Sequence, residues 1–211
     1  MSNMAQDSES ERIRLFSGEL DEMVGKEVAK RQRLGNDVSA MVFGRDVGDL
    51  ARQLAAAGAR VLVDSTAKKL PDSAGLRSQA FSLSPLPAPG TLPEAPFDVI
   101  VGQFALHAIP YAQARSVLSQ LLQMLKIGGK LYLSTYGVHS MLGDHYPDSG
   151  KFIEDRFAEL PTALADLYEL HGPICLYSER NLITLLFQAG ATVLQNATGA
   201  IGNVRAVAVR I

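Results

Sequence analysis

The sequence predicts an α/β fold, a doubly wound and mainly parallel sheet of seven strands that ends in an antiparallel hairpin. Three observations point there. Short apolar runs such as Val61-Leu62-Val63 and Val99-Ile100-Val101 alternate with stretches of helical periodicity, the rhythm of right-handed parallel crossovers. A glycine, Gly44, follows the first run and an acid, Asp64, ends the second, as expected where strands run into ligand-facing turns. The last two runs, at 191–196 and 204–209, follow each other with no helix between them and read as a hairpin.

Composition frames this reading. The chain has 211 residues, enough for one domain with a continuous core, and its 47% apolar and 20% charged content is that of an ordinary globular protein. A net charge of -2 gives no electrostatic reason to expect nucleic acid or an anionic membrane surface as partner. No apolar run approaches the ~20 residues of a spanning helix. One cysteine, Cys175, excludes an internal disulfide and suits a reducing, cytoplasmic setting. The opening MSNMAQDSESER is polar and acidic, where a secretory signal is basic and then apolar.

The elements follow in order. Residues 1–10 are short of periodicity and are expected to be a disordered tail, and residues 11–35 a helical lid. Ile13, Phe16, Leu20, Val24 and Val28 recur every three or four positions and define one helix face. Glu19, Asp21, Glu22, Lys26 and Lys30 are left for water. The main domain occupies 36–211. Its five parallel strands are expected at 38–43, 61–63, 79–83, 99–101 and 130–134, with the first lying between the second and fourth. Helices are expected at 49–57 (closed by Gly58), at 112–125, near 153–170, and from Ser178 as N-cap to Gln188. The segment 85–96 carries five prolines and a glycine and reads as an extended loop.

Three motifs give the sequence a family resemblance. Phe97-Asp98-Val99-Ile100-Val101, then Leu106-His107-Ala108-Ile109-Pro110, then Leu125-Lys126-Ile127-Gly128-Gly129-Lys130-Leu131 occur in this order. Together with Tyr177-Ser178-Glu179-Arg180 and Ala189-Gly190-Ala191, they resemble the class I S-adenosylmethionine (SAM)-dependent methyltransferases, whose usual pattern is FDxV, LHHxP and LKPGGxLxL. The resemblance spans roughly 36–211. It implies a Rossmann-like methyltransferase fold, SAM as cofactor and a small-molecule methyl acceptor.

The same resemblance assigns a cofactor site. Gly44, Asp46 and Gly48 occupy the three positions of the family's glycine loop, with an aspartate in the middle one. A glycine there adopts positive φ and leaves room for a ligand, while aspartate is bulkier but tolerates left-handed geometry. Arg45 is expected to take the methionyl carboxylate with its forked donors, and Asp64 to accept from the ribose hydroxyls. Leu83 is expected beside the adenine, in a stretch, 81–84, that offers hydroxyls but no acid. Gln103 matches a position bordering the methionyl group. The family's acid two residues before the first glycine is replaced by Val42.

Methyl transfer relies on alignment in a site cleared of water more than on acid–base chemistry. His107 and Tyr136 are the candidate catalytic residues, the histidine because its pKa class suits proton removal near neutrality. His139, His145 and Tyr146 fall in the variable region that the resemblance places around an acceptor. No metal is expected, since His139, Asp144 and His145 match no common ligand spacing and Cys175 has no partner. A dinucleotide fingerprint counted from Gly44 would need glycines at Asp46 and Asp49, where two carboxylates repel a pyrophosphate. Two functions fit: a SAM-dependent methyltransferase, or a non-catalytic regulatory or partner subunit that kept the scaffold, lost SAM and binds a protein partner.

Overall fold

The computed structural model describes the backbone of residues 2–66, 70–199 and 201–211, with side chains from Gly18 onward. Helix α1 runs Ser2–Arg33. Residues 2–10, expected as a disordered tail, are part of this helix, while the side chains of residues 1–17, and with them the packing of Ile13 and Phe16, lie outside the described residues. From there the predicted face holds: Leu20, Val24 and Val28 are completely buried.

The main domain begins with β1 (Ser39–Gly44), α2 (Gly48–Ala56), β2 (Arg60–Asp64), β3 (Leu76–Gln79) and β4 (Phe97–Gln103). It continues through α3 (Tyr111–Met124) and β5 (Leu125–Thr135) to a capping insertion that contains α4 (Met141–Asp144), β6 (Ala158–Glu159), α5 (Thr162–Tyr168) and β7 (Pro173–Ile174). Helix α6 (Glu179–Gln188) and the hairpin β8 (Thr192–Thr198) and β9 (Val204–Val209) complete it. The sheet order is β3-β2-β1-β4-β5-β9-β8, with β1 to β5 parallel, β9 antiparallel to β5 and β8 antiparallel to β9. The first strand therefore sits between the second and fourth, as expected.

Strand alternation explains the two layers. Met41, Phe43 and Ile100 face a core built with α3 and α6, through residues such as Leu118, Leu121 and Leu185. Ala40, Val42, Val99 and Val101 face the opposite core, built with Leu20, Val24 and Val28 of α1 and Leu50 and Leu54 of α2. Tyr136, Tyr146, Tyr168, Leu170 and Leu176 form a third cluster within the insertion. Ser178 caps α6 in a reciprocal box with Asn181.

Two elements differ from expectation. The third strand is Leu76–Gln79 rather than 79–83, because it pairs with β2 alone and only Leu76 of its residues is buried. Phe81, which drew the strand forward, packs from the following loop on Phe43 with ring centroids 6.5 Å apart. The helix expected near 153–170 is broken into a 3₁₀ turn at Ile153–Asp155, the short β6 and α5. Pro161 forbids continuation, since its ring lacks the N–H a helix interior needs, and it serves instead as the N-cap of α5.

At the amino edge of the sheet, the motif residues form an ion network. Asp98 accepts from Lys126 Nζ at 2.7 Å, Ser39 N at 2.9 Å, Ser39 Oγ at 3.1 Å and Arg31 Nη1 at 3.3 Å. Glu27 accepts from Lys130 at 2.7 Å and Arg31 at 2.8 Å. Burial pushes both carboxyls upward, but hydrogen bonds from Lys126 and Ser39 to Asp98, and from Lys130 and Arg31 to Glu27, outweigh it and hold both below the usual range. Gly129 is required beside them, because a Cβ there would lie 2.8 Å from the Lys126 carbonyl oxygen.

Candidate functional site

The opposite, carboxyl edge holds the candidate site. Ligands bind in such sheets where the strand order reverses, here between β1 and β4. Gly44 ends β1 at φ +106°, and a Cβ would come within 1.8 Å of the Gln103 carbonyl oxygen. No side chain fits there. The same carbonyl accepts from Arg45 N at 2.9 Å. Asp46 then adopts φ +52°, a geometry aspartate tolerates better than most residues, and its exposed side chain belongs to the lining of the cleft that follows. Val47 turns inward and Gly48 opens α2.

This turn forms one wall of a cleft of about 740 Å³. Asp64, His107 and Ala108 line its floor, and Phe157 with residues 169–174 of the insertion stand opposite. A second hollow of about 570 Å³ shares Asp64 and Ala108 with it and is walled by Phe81, Leu83 and Ile109. Asp64 stands where the two meet. Its Oδ1 accepts from Thr66 N at 2.9 Å, Thr66 Oγ1 at 2.6 Å and Phe81 N at 3.4 Å, while Oδ2 has no partner among the described residues.

The structure thus gathers Gly44, Arg45, Asp46, Gly48, Asp64 and His107 around one cleft and sets Leu83 in the adjoining hollow. Gln103 and Tyr136 stand behind that wall. Gln103 is wholly buried, and its Nε2 donates to Asp21 of α1 while Oε1 has no partner among the described residues. Asp21 is therefore not left for water. Burial raises its carboxyl from the ordinary 3.8 to about 6, against the Gln103 hydrogen bond and with help from the negative charge of Asp49. Tyr136 is 1% exposed and packs on His107, with centroids 4.9 Å apart. Its hydroxyl accepts from Arg45 Nη1 at 3.4 Å.

His107 follows β4 in a 3₁₀ turn, buried, with Nδ1 unpartnered among the described residues. Burial, and then the positive charge of Arg45, push its pKa down to about 3. The imidazole is neutral throughout the physiological range, a hydrogen-bonding group rather than a neutral-pH proton acceptor. His139 and His145 are exposed and do not line the cleft. Tyr146 is buried, donating to the Ile174 carbonyl and accepting from Ala158 N at 3.0 Å. Cys175 is buried too, and desolvation raises its thiol to about 12.

Sequence reasoning missed Glu169 and Asp21. Arg45 Nη2 donates to Glu169 Oε2 at 3.2 Å, and Nη1 to the Tyr168 carbonyl. A turn was visible in His171-Gly172-Pro173. Nothing local ties it to Arg45, more than a hundred positions earlier.

No protein-family model matches the chain, and no curated protein matches it in sequence. Solved structures do match. A SAM-dependent methyltransferase from Mesorhizobium loti superposes with TM-score 0.60 at 15% identity, over 83% of this chain and 92% of that one. The 1,6-didemethyltoxoflavin-N1-methyltransferase of Burkholderia thailandensis, with 1,6-didemethyltoxoflavin and S-adenosylhomocysteine bound, gives 0.58 at 17%, over 98% and 87%. The magnesium protoporphyrin IX methyltransferase of Synechocystis PCC 6803 gives 0.55 at 18%, over 90% and 83%. The chain has the Rossmann-like fold of the class I SAM-dependent methyltransferases.

Proposed function

We propose that this protein is a SAM-dependent methyltransferase acting on a small molecule. The observation that carries the reading is Asp64, a carboxylate whose Oδ2 is uncommitted among the described residues, placed where the cleft meets the apolar hollow. A nucleoside fits that junction. Asp64 Oδ2 would accept from the ribose hydroxyls, and Leu83, Phe81 and Ile109 would hold the base, with backbone groups and the hydroxyls of Ser82 and Ser84 to bond it. Gly44 and Gly48 let the amino-acid part approach the backbone, and Arg45 offers that part a guanidinium. Bound there, SAM supplies an electrophilic methyl on a positively charged sulfur.

The protein's own contribution is placement. Neutral His107 presents a hydrogen-bonding nitrogen to an acceptor and orients it, while Tyr136 steadies both His107 and Arg45 from behind. Phe157, Leu170, Pro173 and Ile174 provide an apolar acceptor wall that excludes water. Two of these neighbours, the 1,6-didemethyltoxoflavin and the magnesium protoporphyrin IX methyltransferases, are named for small molecules, which agrees with an acceptor of that kind.

A second reading, a regulatory or partner subunit without SAM, is favoured by Val42. Where the family has an acid, Val42 is wholly buried in the core that holds Leu20 and Val24 of α1. Calorimetric titration of wild type and Asp46→Gly with SAM and S-adenosylhomocysteine separates the two. In a working site both ligands bind wild type, and Asp46→Gly weakens SAM by roughly fivefold more than S-adenosylhomocysteine, because only SAM carries the positive sulfur. Binding of S-adenosylhomocysteine that appears only in Asp46→Gly marks an inherited site that the aspartate has closed. No binding of either ligand to either protein overturns the enzyme reading.

A further inference from the structure

Resting on that reading, we propose that the cleft is self-occupied: Glu169 fills the carboxylate subsite of Arg45 and is displaced when the amino-acid carboxylate of the cofactor arrives. Arg45 is the one arginine or lysine among the described residues that line the cleft, so a carboxylate entering it has a single guanidinium to find. That guanidinium is already held by three groups of different character. The Tyr168 carbonyl and the Tyr136 hydroxyl take Nη1, and the backbone amide of the same residue is tied to Gln103. These contacts fix the fork from behind. Glu169 alone takes Nη2, at 3.2 Å, from the cleft side.

Glu169 is a weak occupant. Its side chain is three-quarters exposed, and an ion pair so open to water contributes little. It also ends α5 with φ +52°, a left-handed conformation that a glutamate adopts at a cost. A ligand carboxylate held inside the cleft is better shielded and can replace it without moving Arg45. Glu169 begins the acceptor-side wall at 169–174, and Gly172 within that wall stands at φ +92°, where the chain can turn. Releasing Glu169 therefore loosens the wall facing the acceptor. Cofactor binding and acceptor entry are coupled through one salt bridge.

The test compares two ligands that share a nucleoside and differ in the amino-acid part. S-adenosylhomocysteine carries the carboxylate and 5′-methylthioadenosine does not. Calorimetry on the full chain is expected to show Glu169→Gln binding S-adenosylhomocysteine roughly threefold to fivefold more tightly than wild type, with 5′-methylthioadenosine unchanged. Amide hydrogen exchange across 168–172 in wild type should quicken with S-adenosylhomocysteine and stay as it was with 5′-methylthioadenosine. An unchanged affinity for S-adenosylhomocysteine in Glu169→Gln, or an equal change for both ligands, overturns the displacement while leaving the cofactor reading in place. Failure of both ligands to bind wild type overturns the two together.

Discussion

The two edges of the central sheet differ in how their polar groups are satisfied. At the amino edge, Asp98, Glu27, Arg31, Lys126 and Lys130 pair with one another and with Ser39 and the Gly128 carbonyl. At the carboxyl edge, among the described residues, Gln103 Oε1, His107 Nδ1 and Thr135 Oγ1 are buried without partners and Asp64 keeps one oxygen uncommitted. Buried polar atoms without partners are costly, so a cluster at one edge of an otherwise paired sheet marks a place held ready for something else. The amino edge maintains the fold, and the carboxyl edge is where the proposed function puts a ligand.

The sharpest way to break this contrast is to cut the amino edge. Asp98→Ala leaves Ser39 N and Lys126 without their acceptor and removes one of the three acceptors of Arg31, and should lower unfolding stability by roughly 3 kcal/mol, the scale for removing one member of a buried pair. Urea denaturation reads this directly. Affinity for S-adenosylhomocysteine, measured where the variant is folded, should be unchanged. A large loss of affinity would mean that the two edges are not separable.

The converse change is Asp64→Ala at the carboxyl edge. It should weaken S-adenosylhomocysteine by about 1.5–3 kcal/mol, the range for hydrogen bonds to a charged group. Stability should fall far less than in Asp98→Ala, since what Asp64 holds within the protein is the local turn of Thr66 and Phe81. An unaltered affinity would place the ribose elsewhere.

The contrast also explains what was legible in the sequence. Phe97-Asp98 and Leu125-Lys126 through Gly129 carried most of the resemblance, and they prove to be the paired amino edge and its tight turn. Their constraints are local in the fold and fix residue types, so they read clearly. Strand order followed from the same runs. The carboxyl edge read less well because its contacts join distant segments: Arg45 to Glu169, and Asp21 to Gln103. A charged residue on a helix looks solvent-facing in a periodicity, and Asp21 was so assigned. Its neighbours at Leu20 and Val24 dock the helix deeply enough to carry it against β4. Pro161 was a visible breaker inside the expected helix, yet the apolar residues around it serve the insertion's own small core, where helical periodicity is a poor guide.

Asp21 supplies the smallest and most selective test, because the two edges titrate in opposite senses. Asp98 and Glu27 have folded pKa values below their ordinary ones. Their contribution is in place above the usual carboxylate range and is lost as pH falls through the folded values. For Asp21 the folded value is raised, from 3.8 to about 6. Between those limits the folded protein holds more protons than the unfolded chain, so this group lowers stability as pH rises and adds no further change above about 6. Asp21→Asn cannot ionise, and its side-chain oxygen can still accept from Gln103 Nε2. The variant should match wild type near pH 4 and exceed it by about 1 kcal/mol at pH 7, a figure reduced from the full shift because the carboxyl is partly open to water. Paired urea denaturations across this range measure the difference. A gap that stays constant with pH would show that Asp21 titrates normally, and that α1 does not bury it against the carboxyl edge in solution.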